Sequence, residues 1–458
     1  MKANQFLWIL FMLQTYQSTA QNLPAFKPLR YDEDYRLLKN DTASNWYENI
    51  KYQPLGTSKK SYLSVGGEVR FQYLLFKNAG WGDEPADSDG YVLTRYLAHA
   101  DFHAGKKFRT FIQLQSSLVN GKLDTSPVEE NPLEIHQAFA DILLAANKNK
   151  SLLIRVGRQE LSYGSQRLVS VRELPNNRQS FDAVKSILTL KSYQFDLFYS
   201  HFVAAKKGIF DEGFNHSTKF WGAYIVKNKI PVLANIDLYY LGLWKQQASF
   251  DDGKGKELRH SVGVRVWSNQ QNFKYDYEGL WQWGDFASKS IKAWTVSFNS
   301  SYRFSHALLE PEFGLKAELI SGDVHYNDNR LQTFNPLFPK GAYFGLAALI
   351  GPSNLTDIHP SVSLELQKNV KLNFDADIFW RFSPNDGIYA PNVALIYSGK
   401  NVTDKYIGSQ YATDLVYTPN NFLYFRAEFT WFAAGNFLKA AGSGKDIVFT
   451  SFTTQLKF

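Results

Sequence analysis

The sequence predicts an all-β chain that forms a transmembrane antiparallel β-barrel of about 18 strands with long extracellular loops. Apolar and polar residues alternate with period two in many segments, which is typical of strands with one apolar face and one polar face. Aromatic residues make up 16% of the chain. Beyond the N-terminus, the sequence lacks the ~18 consecutive apolar residues of a membrane helix. Together these observations favour a barrel over a helical membrane protein.

The N-terminus has the layout of a secretory signal peptide. Lys2 precedes an apolar stretch from Phe6 to Leu13 that is too short to span a bilayer, and small residues end at Ala20. The chain has no cysteine, which excludes a disulfide framework and a thiolate metal site. The domains that we expect are a signal peptide at 1–20, a periplasmic or plug-like N-terminal leader at 21–60 and an outer-membrane β-barrel at 61–458.

The stretch 372–382 illustrates the alternation. Leu372, Phe374 and Ile378 fall on one face, whereas Asp375 and Asp377 fall on the other. Such segments run for about ten residues, the length that a tilted membrane strand needs. A soluble sandwich also shows alternation, so the length and recurrence of the segments favour the barrel. The predicted strands are 62–77, 89–104, 106–119, 133–145, 150–159, 181–190, 192–203, 218–228, 233–243, 258–269, 271–283, 290–304, 308–321, 358–367, 371–382, 408–417, 421–433 and 446–458.

The end of the chain and the lengths of the connections support this count. The final stretch "DIVFTSFTTQLKF" alternates and ends on Phe458, as the last strand of bacterial outer-membrane barrels does. Gly105-Lys106 and Lys191-Ser192 fit tight periplasmic turns. The long connections fall on the other side of the predicted barrel. They are 120–132, 160–180, 204–217, 244–257, 322–357 and 383–407.

A barrel of about 16–18 strands encloses an aqueous channel, so its inward row of side chains carries the function. Arginine is a permanent planar cation that pairs with carboxylates, and a ladder of arginines suits a polyanion. The alternative is that these charges pair with one another and only solvate the lumen. The formal net charge is +7, or +6 without Lys2, which is a mild basic excess. The inferred inward charges are Arg70, Arg95, Arg109, Arg155, Arg265, Arg381, Arg426, Glu68, Asp101, Asp141, Asp375, Asp377 and Glu428.

Sequence signals for catalysis are thin. The chain contains no H-E-x-x-H or G-x-S-x-G stretch. His99 and His103 share one strand face, but four strand residues separate them by roughly 13 Å, too far for one metal ion. We therefore predict no enzymatic activity, no cofactor and no metal site.

Many short stretches resemble the alginate-export family of outer-membrane porins. They include "LRYDEDYR" (29–36), "YLSVGGEVR" (62–70), "GRQELSYGSQRL" (157–168), "RQSFDAVK" (178–185), "AELISGD" (317–323), "NLTDIHP" (354–360) and "IGSQYATDL" (407–415). The resemblance implies an 18-stranded barrel with a lumen of arginines and acids, and passage of a uronic-acid polymer.

The predicted function is an outer-membrane channel that passes an anionic, alginate-like polysaccharide or oligosaccharide. The alternative is a general or small-solute diffusion porin, and an outer-membrane enzyme is the third hypothesis. The expected partners are outer-membrane lipid, the polysaccharide or small solutes, and a periplasmic export or uptake protein, but no nucleic acid. The residues expected to line the pore or contact substrate are Arg70, Arg95, Arg155, Arg158, Arg167, Arg178, Asp182, Arg265, Glu318, Asp323, Arg381, Asp414 and Arg426.

Overall fold

The computed structural model describes residues 24–40, 46–56, 60–85, 87–270 and 272–458. The expected signal peptide lies outside these residues. Eighteen long strands dominate the described chain. They are β1 (Ser61–Lys77), β2 (Tyr91–Ala104), β3 (Phe108–Asn120), β4 (Asn131–Asn147), β5 (Lys150–Gln159), β6 (Phe181–Leu190), β7 (Tyr193–Phe202), β8 (Thr218–Ile230), β9 (Ala234–Phe250), β10 (Gly253–Ser268), β11 (Phe273–Phe286), β12 (Lys289–Arg303), β13 (Glu312–Ile320), β14 (Leu355–Gln367), β15 (Val370–Arg381), β16 (Tyr406–Tyr417), β17 (Leu423–Ala434) and β18 (Ile447–Lys457).

Each strand pairs antiparallel with its neighbours in the chain, and β1 pairs with β18, which closes the sheet into a barrel. The closing pair sets Glu68 opposite Lys457 and Lys77 opposite Val448. Because the barrel is closed, no strand edge is left unpaired along the wall, as hydrocarbon surroundings require. The predicted fold class and the predicted strand number are confirmed.

The alternation in the sequence becomes an outer and an inner face. Val184, Leu197 and Leu238 are among the exposed large apolar side chains of the outer face. Inner positions of the same strands carry polar or aromatic residues. These residues are covered by loops and by neighbouring charged side chains. Apolar side chains exposed on the outer wall of a closed barrel are those that lipid covers in a membrane.

One predicted connection is wrong. The stretch 244–257 was expected to be a long loop, but β9 continues to Phe250 and β10 begins at Gly253, so a tight turn joins them. Phe250 pairs directly with Gly253 in this tall hairpin. The pairing of β9 with β10 extends beyond the apolar band of the barrel. There both faces of the strands are polar, so the sequence no longer alternates, although the backbone hydrogen bonds continue.

Long connections fold back into the barrel and fill part of its lumen. The loop 160–180 pairs with the loop 321–354 through backbone hydrogen bonds, such as that from Phe338 N to Leu168 O at 2.9 Å. Leu168, Val169, Phe338 and Phe344 of these loops belong to one buried cluster with wall residues that include Phe379. The interior is therefore partly a packed core.

Helices are short in the described chain. The α-helices α1 (Trp46–Lys51) and α2 (Asn436–Ala441) have six residues each, and 3-10 turns lie at Arg30–Asp32, Arg36–Asn40 and Ala79–Gly82. None of the helices that the structure describes is long and apolar enough to cross a membrane.

The described part of the leader is attached to the barrel. Arg30 Nη1 and Nη2 donate hydrogen bonds to Gly67 O and Phe458 O, both at 2.9 Å, at the seam between β1 and the chain end. Tyr31 is buried inside the wall against Phe111 and Phe139. The short turns lie on the same side of the barrel as the start of β1 and the end of β18. This side is periplasmic in barrels of this kind. The leader therefore lies at the periplasmic opening, whereas its expected boundaries at 20 and 60 stay predictions.

Candidate functional site: a charged lumen crossed by a loop

The loop 160–180 crosses the lumen, contacts the far wall through Arg167 and returns to β6. It leaves β5, and its Arg167 contacts β11, β12 and β13. Arg167 Nη1 lies 3.0 Å from Glu278 Oε2, and its Nε lies 2.9 Å from Glu318 Oε1. Its Nη2 donates to Thr295 Oγ1 at 3.1 Å, and its Nε also lies 2.7 Å from Tyr343 Oη. Arg167 and Glu318, both expected to line the pore, thus come together as a buried anchor that divides the lumen.

The same loop carries a carboxylate into a group of three arginines. Arg70 and Arg95 project from β1 and β2, and Arg178 lies near the end of the loop. Glu173 pairs with Arg95, and it lies 3.7 Å from Arg70 and 3.5 Å from Arg178. We call these four residues the arginine cluster. The three predicted arginines are brought together here, with an acid that the sequence reasoning did not select.

Exposure differs sharply within the arginine cluster. The Arg95 and Arg70 side chains are 0% and 4% exposed, whereas the Glu173 side chain is 50% exposed. The three guanidinium groups hold the pKa of Glu173 well below its usual range, although burial opposes them. Glu173 is therefore an ionised carboxylate that is bound on one side by arginine and open on the other.

A second layer of contacts holds the arginine cluster in place. Arg178 Nε lies 2.8 Å from Glu160 Oε1, and His136 Nε2 lies 2.8 Å from the same oxygen. Arg95 Nη2 lies 2.6 Å from Glu68 Oε1. Asn176 accepts from Arg70 Nη2 at 3.1 Å and donates to backbone carbonyls of the wall. These buried partners fix the guanidinium planes, so the site is preorganised.

A cavity of about 630 Å³ opens below the loop towards the periplasmic turns. Arg155 and Arg265 both line it, together with Lys185. Arg155 forms a two-pronged pair with Asp141, with nitrogen–oxygen distances of 2.7 and 2.9 Å, and lies over the ring of Tyr31. Arg265 pairs in the same way with Asp276 and also contacts Asp237. Cations thus line the cavity, each with an acidic partner. Its lining residues are Lys27, Leu29, Tyr31, Asp32, Arg155, Ser162, Tyr163, Gly164, Lys185, Ile187, Gln194, Asp196, Tyr224, Val226, Asp237, Arg265, Trp267 and Asn269.

Arg158 and Asp182 do not face the lumen, contrary to the expectation. They form a pair at 2.9 Å on adjacent strands, but they share the outer face with the exposed residues Val156 and Val184. Strand alternation explains the correction, because Arg155 and Lys185 take the inward positions. Arg158 is held at the outer rim, where its Nη2 also donates to Glu212 O at 2.7 Å.

Arg381 anchors a loop and has no open side towards a solute. It is 1% exposed, and its guanidinium donates to the backbone carbonyls of Pro384, Asp386, Val402 and Asp404. The expectation that Arg381 contacts substrate is therefore corrected. Its hydrogen bonds hold the connection 382–405 against the wall.

Asp323 lies buried in the loop 321–354. Burial, together with Asp252 and Asp386, raises its pKa to about 8. Its backbone N donates to Asp386 Oδ2 at 2.8 Å, so it joins two extracellular loops. Asp323 is thus a loop contact, and the expectation that it lines the pore is corrected.

Asp414 and Arg426 lie on the inner face of the wall, on β16 and β17. Arg426 Nη2 lies 3.1 Å from Asp414 Oδ1 and 2.5 Å from Glu428 Oε2. The Arg426 side chain is 26% exposed. This pair therefore remains accessible from the lumen.

Sequence reasoning missed the acids of the loops. Glu160 and Glu173 both lie in the stretch "GRQELSYGSQRLVSVRELPNN", which drew attention for its arginines. An irregular loop has no period that assigns each residue to a face, so no pattern selected them. The density of arginine in that loop was the one available signal that carboxylates would be drawn to it.

A closed 18-stranded barrel with charged loops inside its lumen defines the class of outer-membrane porins, and solved porins have this fold. OccAB1 of Acinetobacter baumannii matches with a TM-score of 0.58 and 12% identity, over 90% of this chain and 99% of that one. The model of the alginate export family matches residues 61–446, and the chain belongs to this family. The protein is thus an outer-membrane channel of a bacterium.

Two other similar structures were solved with a ligand. OccK2 (OpdF) of Pseudomonas aeruginosa, in complex with glucuronate, matches with a TM-score of 0.56 and 10% identity, over 86% of this chain and 98% of that one. OpdK of the same species, with vanillate, matches with a TM-score of 0.58, 10% identity and the same coverage. At such identities the likeness shows the fold alone. No curated protein matches the chain.

Proposed function

We propose that the channel passes an anionic, alginate-like polysaccharide or oligosaccharide through its charged lumen. The observation that carries the proposal is the arginine cluster, in which a half-exposed carboxylate of the chain itself contacts three guanidinium groups. A uronic-acid unit carries the same group, a carboxylate on a flexible chain. The arginine cluster is therefore a carboxylate-binding site that is occupied by Glu173, a carboxylate of the same chain.

The exchange of one carboxylate for another explains how such a site conducts. Arg70 and Arg95 keep their positions on the wall. Glu173 lies on a loop, and its carboxylate is able to withdraw from the guanidinium groups. An incoming uronate replaces the contacts of Glu173, and the returning Glu173 replaces those of the uronate. Binding is then strong enough for entry and weak enough for exit, as conduction requires.

Arg155, Arg265 and Lys185 offer a second station in the cavity on the periplasmic side. Each of these three cations is paired with an acid. The electrostatic potential along the path of a polyanion is therefore not uniformly positive. The guanidinium groups of both stations keep their positive charge at any physiological pH. The membership in the alginate export family supports the same substrate class.

Conductance in planar bilayers tests the proposal. We expect oligouronates to block the wild-type current and uncharged oligosaccharides of equal length to leave it unchanged. Arg70→Gln should weaken the block by roughly tenfold or more, which corresponds to a lost charge-assisted hydrogen bond of about 1.5 kcal/mol or more. Glu173→Gln should strengthen it, because the tethered competitor loses its charge. Arg158→Gln, on the outer face, is the matched control. Equal block by charged and uncharged sugars would overturn the proposal.

Uptake of small carboxylates is the second candidate. The loops that fill the lumen narrow the path, and similar porins have structures with glucuronate and vanillate. This candidate predicts that monouronates compete for the channel as well as longer chains do. A block that strengthens with chain length supports the polysaccharide instead.

A further inference from the structure

The wall at β14 and β15, four to five strands from β1 around the barrel, carries a second, acidic group. His359 lies on β14, and Asp375 and Asp377 lie on β15, all on the inner face. His359 Nδ1 lies 2.5 Å from Asp377 Oδ1, and its Nε2 lies 3.4 Å from Asp375 Oδ1. One potential ligand atom from each of the three residues lies within 4.8 Å of the others. Pairing of β14 with β15 creates this convergence, because no two of the three are sequence neighbours.

The convergent atoms contact one another but nothing outside the group. His359 Nδ1 lies against Asp377 Oδ1, and Asp375 Oδ1 lies near His359 Nε2, whereas the described residues offer these buried atoms no further hydrogen-bond partner. Asp377 is 0% exposed as a side chain. Buried polar atoms almost always have partners, and here one imidazole is the only partner of two carboxylate oxygens within the described chain, which leaves their negative charge in excess.

Asp357 adds an independent observation. It lies two residues before His359 on the same face of β14, and it is 1% exposed. Within the described chain, both of its carboxylate oxygens are buried without a hydrogen bond. Because Asp357 pairs with Phe379, Asp377 is its diagonal neighbour on the inner face. A buried carboxylate without a donor is costly unless a cation approaches it.

We propose that His359, Asp375 and Asp377 form a binding site for a divalent metal ion, with Asp357 beside it. The motif "NLTDIHP" carries Asp357 and His359, and the proposed channel function leaves it without a role. Imidazole with carboxylates suits a borderline ion such as zinc better than calcium. Metal–ligand bonds of about 2.0–2.2 Å need ligand atoms about 3–4 Å apart, close to the present spacing.

Local charge favours a cation here. The three aspartates outnumber the nearby cations that are not otherwise engaged. Lys316 lies 2.7 Å from Glu318 Oε2, and Arg167 contacts the other oxygen of Glu318. The side chains of His359 and Asp375 are 19% and 23% exposed, so an ion is able to enter from the lumen. The remaining coordination positions face the lumen and would hold water or an oxygen of a solute.

A comparable trio on β2 and β3 shows what a saturated site looks like. His103 lies 3.1 Å from Asp101 Oδ1, but both oxygens of Asp101 also accept from Arg109, at 2.7 and 2.8 Å. The guanidinium occupies the place that a metal would need. The His103–Asp101 pair is therefore a control with a histidine and an aspartate in contact, in which Arg109 takes the place of the second aspartate.

Equilibrium dialysis of the purified, folded barrel against Zn²⁺ tests the site, with bound metal counted by mass spectrometry. We expect one saturable equivalent per chain. His359→Gln and Asp375→Asn should each lower the affinity by at least about tenfold, and His103→Gln should leave it unchanged. Co²⁺ should give visible absorption bands that disappear in His359→Gln.

Two results would overturn the inference. One is the absence of saturable Zn²⁺ binding to the wild-type barrel. The other is an equal loss in His103→Gln and His359→Gln, which would mean adventitious binding by surface histidines. Migration of unheated protein on gels checks that each variant is folded. Asp375→Asn, at a partly exposed position, keeps the test decisive if His359→Gln fails to fold.

Discussion

Arg167 Nε lies 2.9 Å from Glu318 Oε1, and this contact fixes a loop from one side of the barrel to the opposite wall. Both side chains are buried, and Glu278 shares the same guanidinium. Removing one partner of a buried ion pair leaves an uncompensated charge, which costs about 3–5 kcal/mol.

Arg167→Gln should therefore destabilise the loop and enlarge the pore. We expect a higher single-channel conductance in planar bilayers and a lower free energy of unfolding in guanidinium titrations. Arg330→Gln, at an exposed position of the short strand Arg330–Leu331, serves as the control and should change neither quantity. An Arg167→Gln channel with wild-type conductance would show that the loop does not limit the current.

Tyr31 carries the second prediction. Its ring lies at 5.3 Å from Phe139 and under the guanidinium of Arg155, and its hydroxyl donates to Glu160 O at 2.9 Å. Tyr31→Ala should cost about 3–5 kcal/mol, as truncation of a buried aromatic does, and should open the periplasmic cavity. Tyr31→Phe removes only the hydrogen bond and should cost about 1 kcal/mol. Urea titrations of both variants measure the difference. Equal costs would mean that the hydroxyl alone matters.

The wall was predictable because a strand has a simple period. The sequence patterns locate all eighteen strands, and most of their ends lie within a few residues of the observed ones. Arg70, Arg95 and Arg155 face inward as their alternation indicates. Arg158 was misplaced because it was chosen for its motif, whereas its even position after Val156 assigns it to the outer face.

The contacts inside the barrel were not predictable from local pattern. Arg167 meets Glu278 and Glu318, which lie 111 and 151 positions away, and only the closed fold brings them together. Glu173 and Asp323 lie in irregular loops without a period. His359 and Asp377 meet because the pairing of β14 with β15 sets Asp357 opposite Phe379. Alternation excludes a register shift of one residue, but it does not distinguish registers that differ by two.

Arg158 supplies a prediction about what should not change. Because it lies on the outer face at the rim, neutralising it should leave ion selectivity as it is in the wild type. The pair with Asp182 is partly exposed, so Arg158→Gln should cost no more than about 1 kcal/mol. Reversal potentials in asymmetric salt measure the selectivity. A shift similar to that of Arg70→Gln would place Arg158 in the conduction path.

Asp323 makes the docking of the extracellular loops dependent on pH. Its pKa is raised to about 8 by burial and by Asp252 and Asp386, with Asp328 adding a smaller effect, whereas an unfolded aspartate has a value of about 3.9. The docked state therefore binds more protons than the open state between these values. Docking is strongest at low pH and weakens as the pH rises towards 8. Above pH 8 the loss of docking stability is complete, because Asp323 is then ionised in both the docked and the open state.

Hydrogen–deuterium exchange of residues 321–335 and 382–405 measures this dependence, after correction for the intrinsic effect of pH on exchange. Protection should fall between pH 6 and pH 8.5 by up to about 1.4 kcal/mol per unit. Lys289 contacts Asp252, so it offsets part of the repulsion and the observed slope should be smaller than this limit. Asp323→Asn has no proton to lose, and its protection should stay constant over the same range. If the variant retains the slope of the wild type, the titrating group is not Asp323, and Asp386 becomes the next residue to change.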